Sequence, residues 1–118
     1  PELRVLELGA NEISKIGDAL TMNRKLEQLF LSRNRLNEIE GLQCLQKLRV
    51  LALQNNKIGE ISGLNQLLNL EELYLSHNLL SEVKGLECNE SLRILDIAHN
   101  KICALDGIGH LNSLEELW

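Results

Sequence analysis

The chain is 118 residues long, 44% hydrophobic and formally −5 at neutral pH, which suits one folded soluble domain. The negative balance, with no cluster of Lys or Arg, argues against nucleic acid or an anionic membrane as the main partner and favours a basic protein. No stretch of about 18 apolar residues is present and no basic-then-apolar leader opens the chain, so neither a membrane span nor a secretory address is read.

Taken in order, the sequence repeats itself. Leucines open successive units at Leu3, Leu26, Leu48, Leu70, Leu92 and Leu114, the first spacing being 23 residues and the others 22. Inside each unit the pairs Leu6/Leu8, Leu29/Leu31, Leu51/Leu53, Leu73/Leu75 and Leu95/Ile97 alternate with other residues, the period of a strand with one buried face. Asn11, Asn34, Asn56, Asn78 and Asn100 follow; an amide offers two donors and an acceptor to the backbone of a turning loop, so this column is structural. Two apolar anchors come next, Ile13/Ile16, Leu36/Ile39, Ile58/Ile61, Leu80/Val83 and Ile102/Leu105. Gly41, Gly63, Gly85 and Gly107 then precede an apolar residue, where a short 3₁₀ or helical turn is expected to run back along the convex side. The first unit has one extra residue and reads Asp18, Ala19 here, so its return loop should differ. Asn89 stands where Leu45, Leu67 and Leu111 stand and is expected to cap a turn.

The complete copy from Leu48 to Asn69, LRVLALQNNKIGEISGLNQLLN, carries the pattern LxxLxLxxN of a leucine-rich repeat. No copy can bury its apolar edge without a neighbour on each side. The expected fold is therefore an α/β leucine-rich-repeat solenoid, a horseshoe with a concave parallel sheet and short 3₁₀ or helical turns on the convex side. With one Phe, one Tyr and one Trp, its core must be Leu, Ile and Val. Residues 1–118 read as one repeat domain; the absence of a starting Met and a stop at Trp118 inside the sixth unit predict a fragment whose end repeats expose apolar edges. Cys44 and Cys88 share a phase two repeats apart, roughly 10 Å, beyond the about 7 Å reach of a disulfide, and Cys103 has another phase. Three unpaired thiols favour a reducing, intracellular compartment; an extracellular repeat cut from its caps is the alternative.

If the paired leucines point inward, the residues between them face the concave side. That column reads Glu7, Phe30, Ala52, Tyr74, Asp96 and Trp118, holding every Phe, Tyr and Trp of the chain. The preceding outward column is Val5, Gln28, Val50, Glu72, Ile94 and Glu116. Aromatic side chains on an open surface, among acids, are candidate anchors for a partner with basic side chains around apolar pockets. The competing view is that the rings cover sheet backbone and pack on cross-strand neighbours. A third column, Arg4, Glu27, Arg49, Glu71, Arg93 and Glu115, alternates in sign and reads as a lateral ladder fixing register. His77 and His99 should lie about 5 Å apart, but no further ligand shares their phase, so no metal is expected. The polar residues form columns on an open curve and do not converge in a pocket, and no phosphate loop, nucleophile elbow or metalloprotease helix is present, so no enzyme and no cofactor are expected.

Five segments in this order, LRVLELGANEI, LEQLFLSRNRLNEIEGL, LEELYLSHNLLSEVKGLECN, LRILDIAHNKI and LEELW, together with GLECNES and its Asn89, resemble the leucine-rich-repeat regulatory subunit of type 1 serine/threonine protein phosphatase. The resemblance covers essentially the whole chain, and the family's chain is longer. It implies a protein of nucleus and cytoplasm that binds the phosphatase catalytic subunit on its concave face and controls its activity, maturation or localisation. The family's binding positions match Glu7, Phe30, Glu116 and Trp118; Tyr74 and Asp96 join them from the same surface. Ala52 interrupts the column, so the contact is expected in two patches. The alternatives are a different intracellular repeat scaffold with another protein on the same face, or a structural repeat segment of a larger protein.

Overall fold

The computed structural model describes residues 2–118, except for the side chain of Asp106. Six short strands form one parallel sheet in chain order: β1 (Val5–Glu7), β2 (Gln28–Phe30), β3 (Val50–Ala52), β4 (Glu72–Tyr74), β5 (Ile94–Asp96) and β6 (Glu116–Leu117). Register follows the repeat: Leu6 pairs with Leu29, Leu29 with Leu51, Leu51 with Leu73, Leu73 with Leu95 and Leu95 with Leu117. Every period therefore advances the chain by one strand, and equivalent residues line up as columns across the sheet.

The inward leucines stack into a continuous apolar column. Leu29, Leu51, Leu73 and Leu95 are wholly buried, as are Leu53, Leu75, Leu64, Leu67 and Leu86. At the two ends the same positions are less covered: Leu6, Leu8, Ile13, Ile102, Ile108 and Leu114 are only partly buried, and Leu3, Leu105 and Leu117 are exposed. Burial thus depends on having a neighbour on each side, as nearest-neighbour stacking requires.

The return side departs from expectation. Among the described residues the one helical element is a 3₁₀ turn at Asp106–Ile108. Elsewhere the chain runs through consecutive tight turns, with Leu45 N–H donating to Leu42 O and Leu48 N–H to Leu45 O, both at 3.0 Å. The same pair of bonds recurs through Leu64, Leu67 and Leu70 and through Leu86, Asn89 and Leu92. Apolar residues spaced three apart fit a turn of period three, and about seven residues are too few to pass the helix nucleation cost. The first unit differs, as expected: its extra residue adds a turn, with Ala19 N–H bonded to Ile16 O and Thr21 N–H to Asp18 O.

The asparagine column ties each repeat to the one before it. Asn78 Nδ2 donates to Leu75 O and Ser76 O of its own unit and to Leu53 O of the preceding one, while its Oδ1 accepts from Ile58 N–H at 3.0 Å. Asn34, Asn56 and Asn100 repeat this set. Asn89 caps a turn, as expected, but that of the preceding repeat and not its own. Fully buried, it reaches back with Nδ2 to Leu64 O and Leu67 O, both at 3.1 Å, a polar staple between repeats in place of a leucine contact.

Candidate protein-binding face

The sign-alternating column forms the expected ladder along one rim. Arg4 meets Glu27 at 2.7 Å, Arg49 meets Glu71 at 3.2 Å and Arg93 meets Glu115 at 2.9 Å, with looser links Arg49–Glu27 at 3.9 Å and Arg93–Glu71 at 3.8 Å. Hydrogen bonding to Glu71 and to Glu115 raises the guanidinium pKa of Arg49 and of Arg93, respectively. The arginines stay well exposed while Glu27 and Glu71 are half-buried, and with alternating signs the ladder sets register and leaves little net field. His77 and His99 stack with ring centroids 4.2 Å apart and planes within 11°. Parallel rings do not aim two nitrogens at one point, and among the described residues no three of His, Cys, Asp or Glu group to hold a metal ion.

The concave face carries the six singled-out residues on one surface but not in one cluster. Glu7 and Phe30 are cross-strand partners on β1 and β2. The Glu7 carboxylate accepts from Gly9 N–H at 2.7 Å, which fixes its direction. Tyr74 and Asp96 are partners on β4 and β5, and Asp96 Oδ1 accepts from Ala98 N–H at 3.1 Å. Glu116 lies on β6 opposite Ile94. Trp118 follows β6 and extends its ladder, its N–H donating to Leu95 O and its carbonyl accepting from Ile97 N–H, while the residue is 66% exposed. From Glu7 to Trp118 the face spans five strand spacings, about 24 Å.

Two features escaped the sequence reading. Val50 and Ala52 point outward yet are 9% and 3% exposed, because longer neighbours on a concave surface close over small side chains. Above them lies a hollow of about 400 Å³ walled by Phe30, Tyr74, Gln28, Gln54, Glu72 and Arg49. The second is the bond between two residues of this face, the Tyr74 hydroxyl donating to Oε1 of Glu72, two residues before it, at 2.6 Å. The i, i+2 spacing was the available signal. A larger open groove of about 620 Å³ along Glu38, Glu60, Ser81, Glu82 and Lys84 lies off this face.

Burial, the bond to Glu72 and the charges of Glu72, Glu116 and Asp96 push the Tyr74 phenol up to about 12, against an ordinary 10.0. Between these values the unfolded chain gives up a proton that the folded one keeps, so stability falls as pH rises through that window. Tyr74 is the one tyrosine, so absorbance titration of the tyrosinate band reports it alone. A midpoint near 12 is expected, lowered by Glu72→Gln but still above 10 because burial persists; a midpoint near 10 in chain that circular dichroism shows folded would refute the acidic setting.

Comparison with known families decides the fold's affiliation. A model described as leucine rich repeat matches residues 1–58, and one described as two-copy leucine rich repeats matches 46–88 and 68–110. The chain belongs to the leucine-rich-repeat family. Solved leucine-rich-repeat structures superpose closely. Internalin C2 of Listeria monocytogenes matches 98% of this chain and 50% of its own at a TM-score of 0.90 and 23% identity, a likeness of fold. A leucine-rich-repeat protein of Leptospira interrogans matches 94% of this chain and 30% of its own, at 0.82 and 27% identity. A chain in the Drosophila melanogaster SNF/U2A′ complex matches 83% of this chain and 59% of its own, at 0.72 and 28% identity. This chain therefore spans half the length of the first relative and between 30% and 59% of the others. Comparison of the sequence with curated proteins gives no match. On this leucine-rich-repeat scaffold, acid and aromatic groups lie on the outward side of a sheet whose other face is committed to the core.

Proposed function

We propose that this chain is a protein-binding regulatory unit that engages the catalytic subunit of a type 1 serine/threonine protein phosphatase through its concave face. The observation that carries the reading is the placement of Glu7, Phe30, Tyr74, Asp96, Glu116 and Trp118 on the one outward face of the sheet. An exposed Trp and a half-buried Tyr among carboxylates suit a partner surface with basic side chains around apolar pockets. The resemblance of LEQLFLSRNRLNEIEGL, LEELYLSHNLLSEVKGLECN and LEELW to the phosphatase regulatory subunit names the partner. On this reading the protein acts in nucleus and cytoplasm, in keeping with three free thiols, and calls for no cofactor.

The test is titration of purified phosphatase catalytic subunit against this chain and its Phe30→Ala, Glu116→Ala and Trp118→Ala variants. Each aromatic truncation is expected to weaken binding by about 30-fold, the cost of a buried anchor near 2 kcal/mol. Glu116→Ala should act mainly through a salt-sensitive association rate. Absence of binding by the intact chain sinks the phosphatase assignment. A second reading, a scaffold holding a different protein on the same face, is favoured by the 28% identity to a chain of the SNF/U2A′ complex. It predicts that the same variants lose that other partner.

A further inference from the structure

We propose that the hollow between Phe30 and Tyr74, floored by Ala52, takes an arginine side chain presented by a protein partner, its guanidinium stacked on the rings and hydrogen-bonded to Glu72 and Gln54. The proposal rests on the concave-face reading above and narrows it to one recognition chemistry.

The geometry begins with register. Phe30 pairs with Ala52 and Ala52 with Tyr74, so the two aromatic side chains rise from strands two apart, about 9.6 Å at the backbone. Two ring-to-plane stacking distances of about 3.5 Å each come to about 7 Å, and a concave sheet tips side chains toward each other. A flat group therefore fits between the rings and a bulky one does not. Ala52, by its small size, is what leaves the space; a third aromatic in the column would have filled it.

Polarity then selects the occupant. Gln54 is among the residues lining the hollow, and its Oε1, covered from solvent, has no hydrogen-bond partner. An acceptor in that state carries an unmet desolvation cost, which an incoming N–H donor relieves and an aliphatic side chain leaves in place. Glu72 adds a carboxylate whose Oε1 already holds the Tyr74 hydroxyl at 2.6 Å, leaving Oε2 for a charge-assisted bond. The cation already in the wall, Arg49, is occupied by Glu71 at 3.2 Å and Glu27 at 3.9 Å. What the hollow lacks is a planar cation with several donors. Guanidinium has that form; lysine's ammonium is compact, strongly hydrated and cannot lie flat on a ring.

The experiment titrates the isotope-labelled full chain with acetyl-Gly-Arg-Gly-amide and its lysine and leucine counterparts, read by amide NMR shifts. The arginine peptide is expected to shift the Gln54 side-chain amide and the backbone amides of Phe30, Ala52 and Tyr74 saturably. The lysine and leucine peptides should bind about tenfold more weakly or not at all. Ala52→Leu, which fills the hollow, and Gln54→Leu, which removes the acceptor, should both abolish the preference. Gln54 lies two residues beyond β3 and is half-buried, so Gln54→Leu keeps the test valid if Ala52→Leu perturbs folding. Equal response to lysine, or shifts confined to other parts of the sheet, overturns the proposal. Failure of the socket is distinguishable from failure of the phosphatase reading. Phosphatase binding that depends on Trp118 but not on Gln54 leaves that reading standing without the socket. Arginine-peptide binding without phosphatase binding leaves the socket standing without that partner.

Discussion

Asn78→Ala should destabilise the protein by about 3 kcal/mol, while Asn11→Ala should cost less than about 1 kcal/mol, although both remove the same residue type from the same column. The difference lies in what each amide serves. Asn78 is buried and bonds across the repeat boundary in both directions of polarity, donating to Leu53 O and accepting from Ile58 N–H. The carbonyls it serves each keep another donor: Leu53 O holds Asn56 Nδ2, Leu75 O holds Asn100 Nδ2 and Ser76 O holds Asn55 N–H. Ile58 N–H loses the side-chain acceptor given for it, and leaving a buried donor unmet costs about 1–3 kcal/mol before the weakened carbonyl contacts and the small void are counted. Asn11 is exposed and bonds only to Leu8 O and Gly9 O of its own unit, where water replaces it. Asn78→Asp sharpens the test, since it keeps the acceptor for Ile58 but turns a second carboxylate oxygen toward three carbonyls; at neutral pH it should cost more than alanine. Urea unfolding of the three variants decides the matter. Near-equal losses for Asn78→Ala and Asn11→Ala would remove the column's claim to join repeats.

Much of this fold could be read from the periodic sequence because every repeat poses the same physical problem. Leu29, Leu51, Leu73 and Leu95 recur at one phase and are all wholly buried; the sign alternation from Arg4 to Glu115 gave the ladder before any distance was known. What the sequence could not convey depends on curvature and on side-chain direction. Leucines at every third return position fit either a helical turn or a run of single turns, and the short connection decided for the latter. Val50 and Ala52 occupy outward phases, and nothing in the alternation says that Phe30 and Tyr74 would close over them. Likewise Glu72 and Tyr74 share a face by spacing alone, but the 2.6 Å bond between them is a choice of rotamer. The candidate site was therefore legible as columns and illegible as a surface: its residues were named, while the hollow they frame was not.

Gly85→Ala should cost about 3 kcal/mol or more, and two companion glycines separate the reasons. Gly85 has φ of +84°, and a Cβ there would run into the carbonyl oxygen of Ile61 and lie 3.0 Å from its carbon. Backbone of the preceding repeat cannot swing aside as a side-chain tip can, so relief requires separating two stacked repeats that share a continuous core. Gly17 has φ of +58° with nothing within 4 Å of its Cβ position; alanine there meets conformational strain alone, about 1–2 kcal/mol. Gly59 has neither a positive φ nor a neighbour within 4 Å, so alanine should be neutral or stabilising by up to about 1 kcal/mol through the unfolded chain. Gly107 shows which requirement governs the column. Its φ is −90°, a conformation open to any residue, yet a Cβ would strike the Val83 carbonyl oxygen just as at Gly85. Close approach of one repeat's backbone to the next is thus the common demand, and the left-handed turn is an addition at Gly41, Gly63 and Gly85. Chemical denaturation of Gly59→Ala, Gly17→Ala, Gly107→Ala and Gly85→Ala should rank them in that order of increasing loss. If Gly107→Ala proved as harmless as Gly59→Ala, backbone conformation and not repeat packing would explain the glycines.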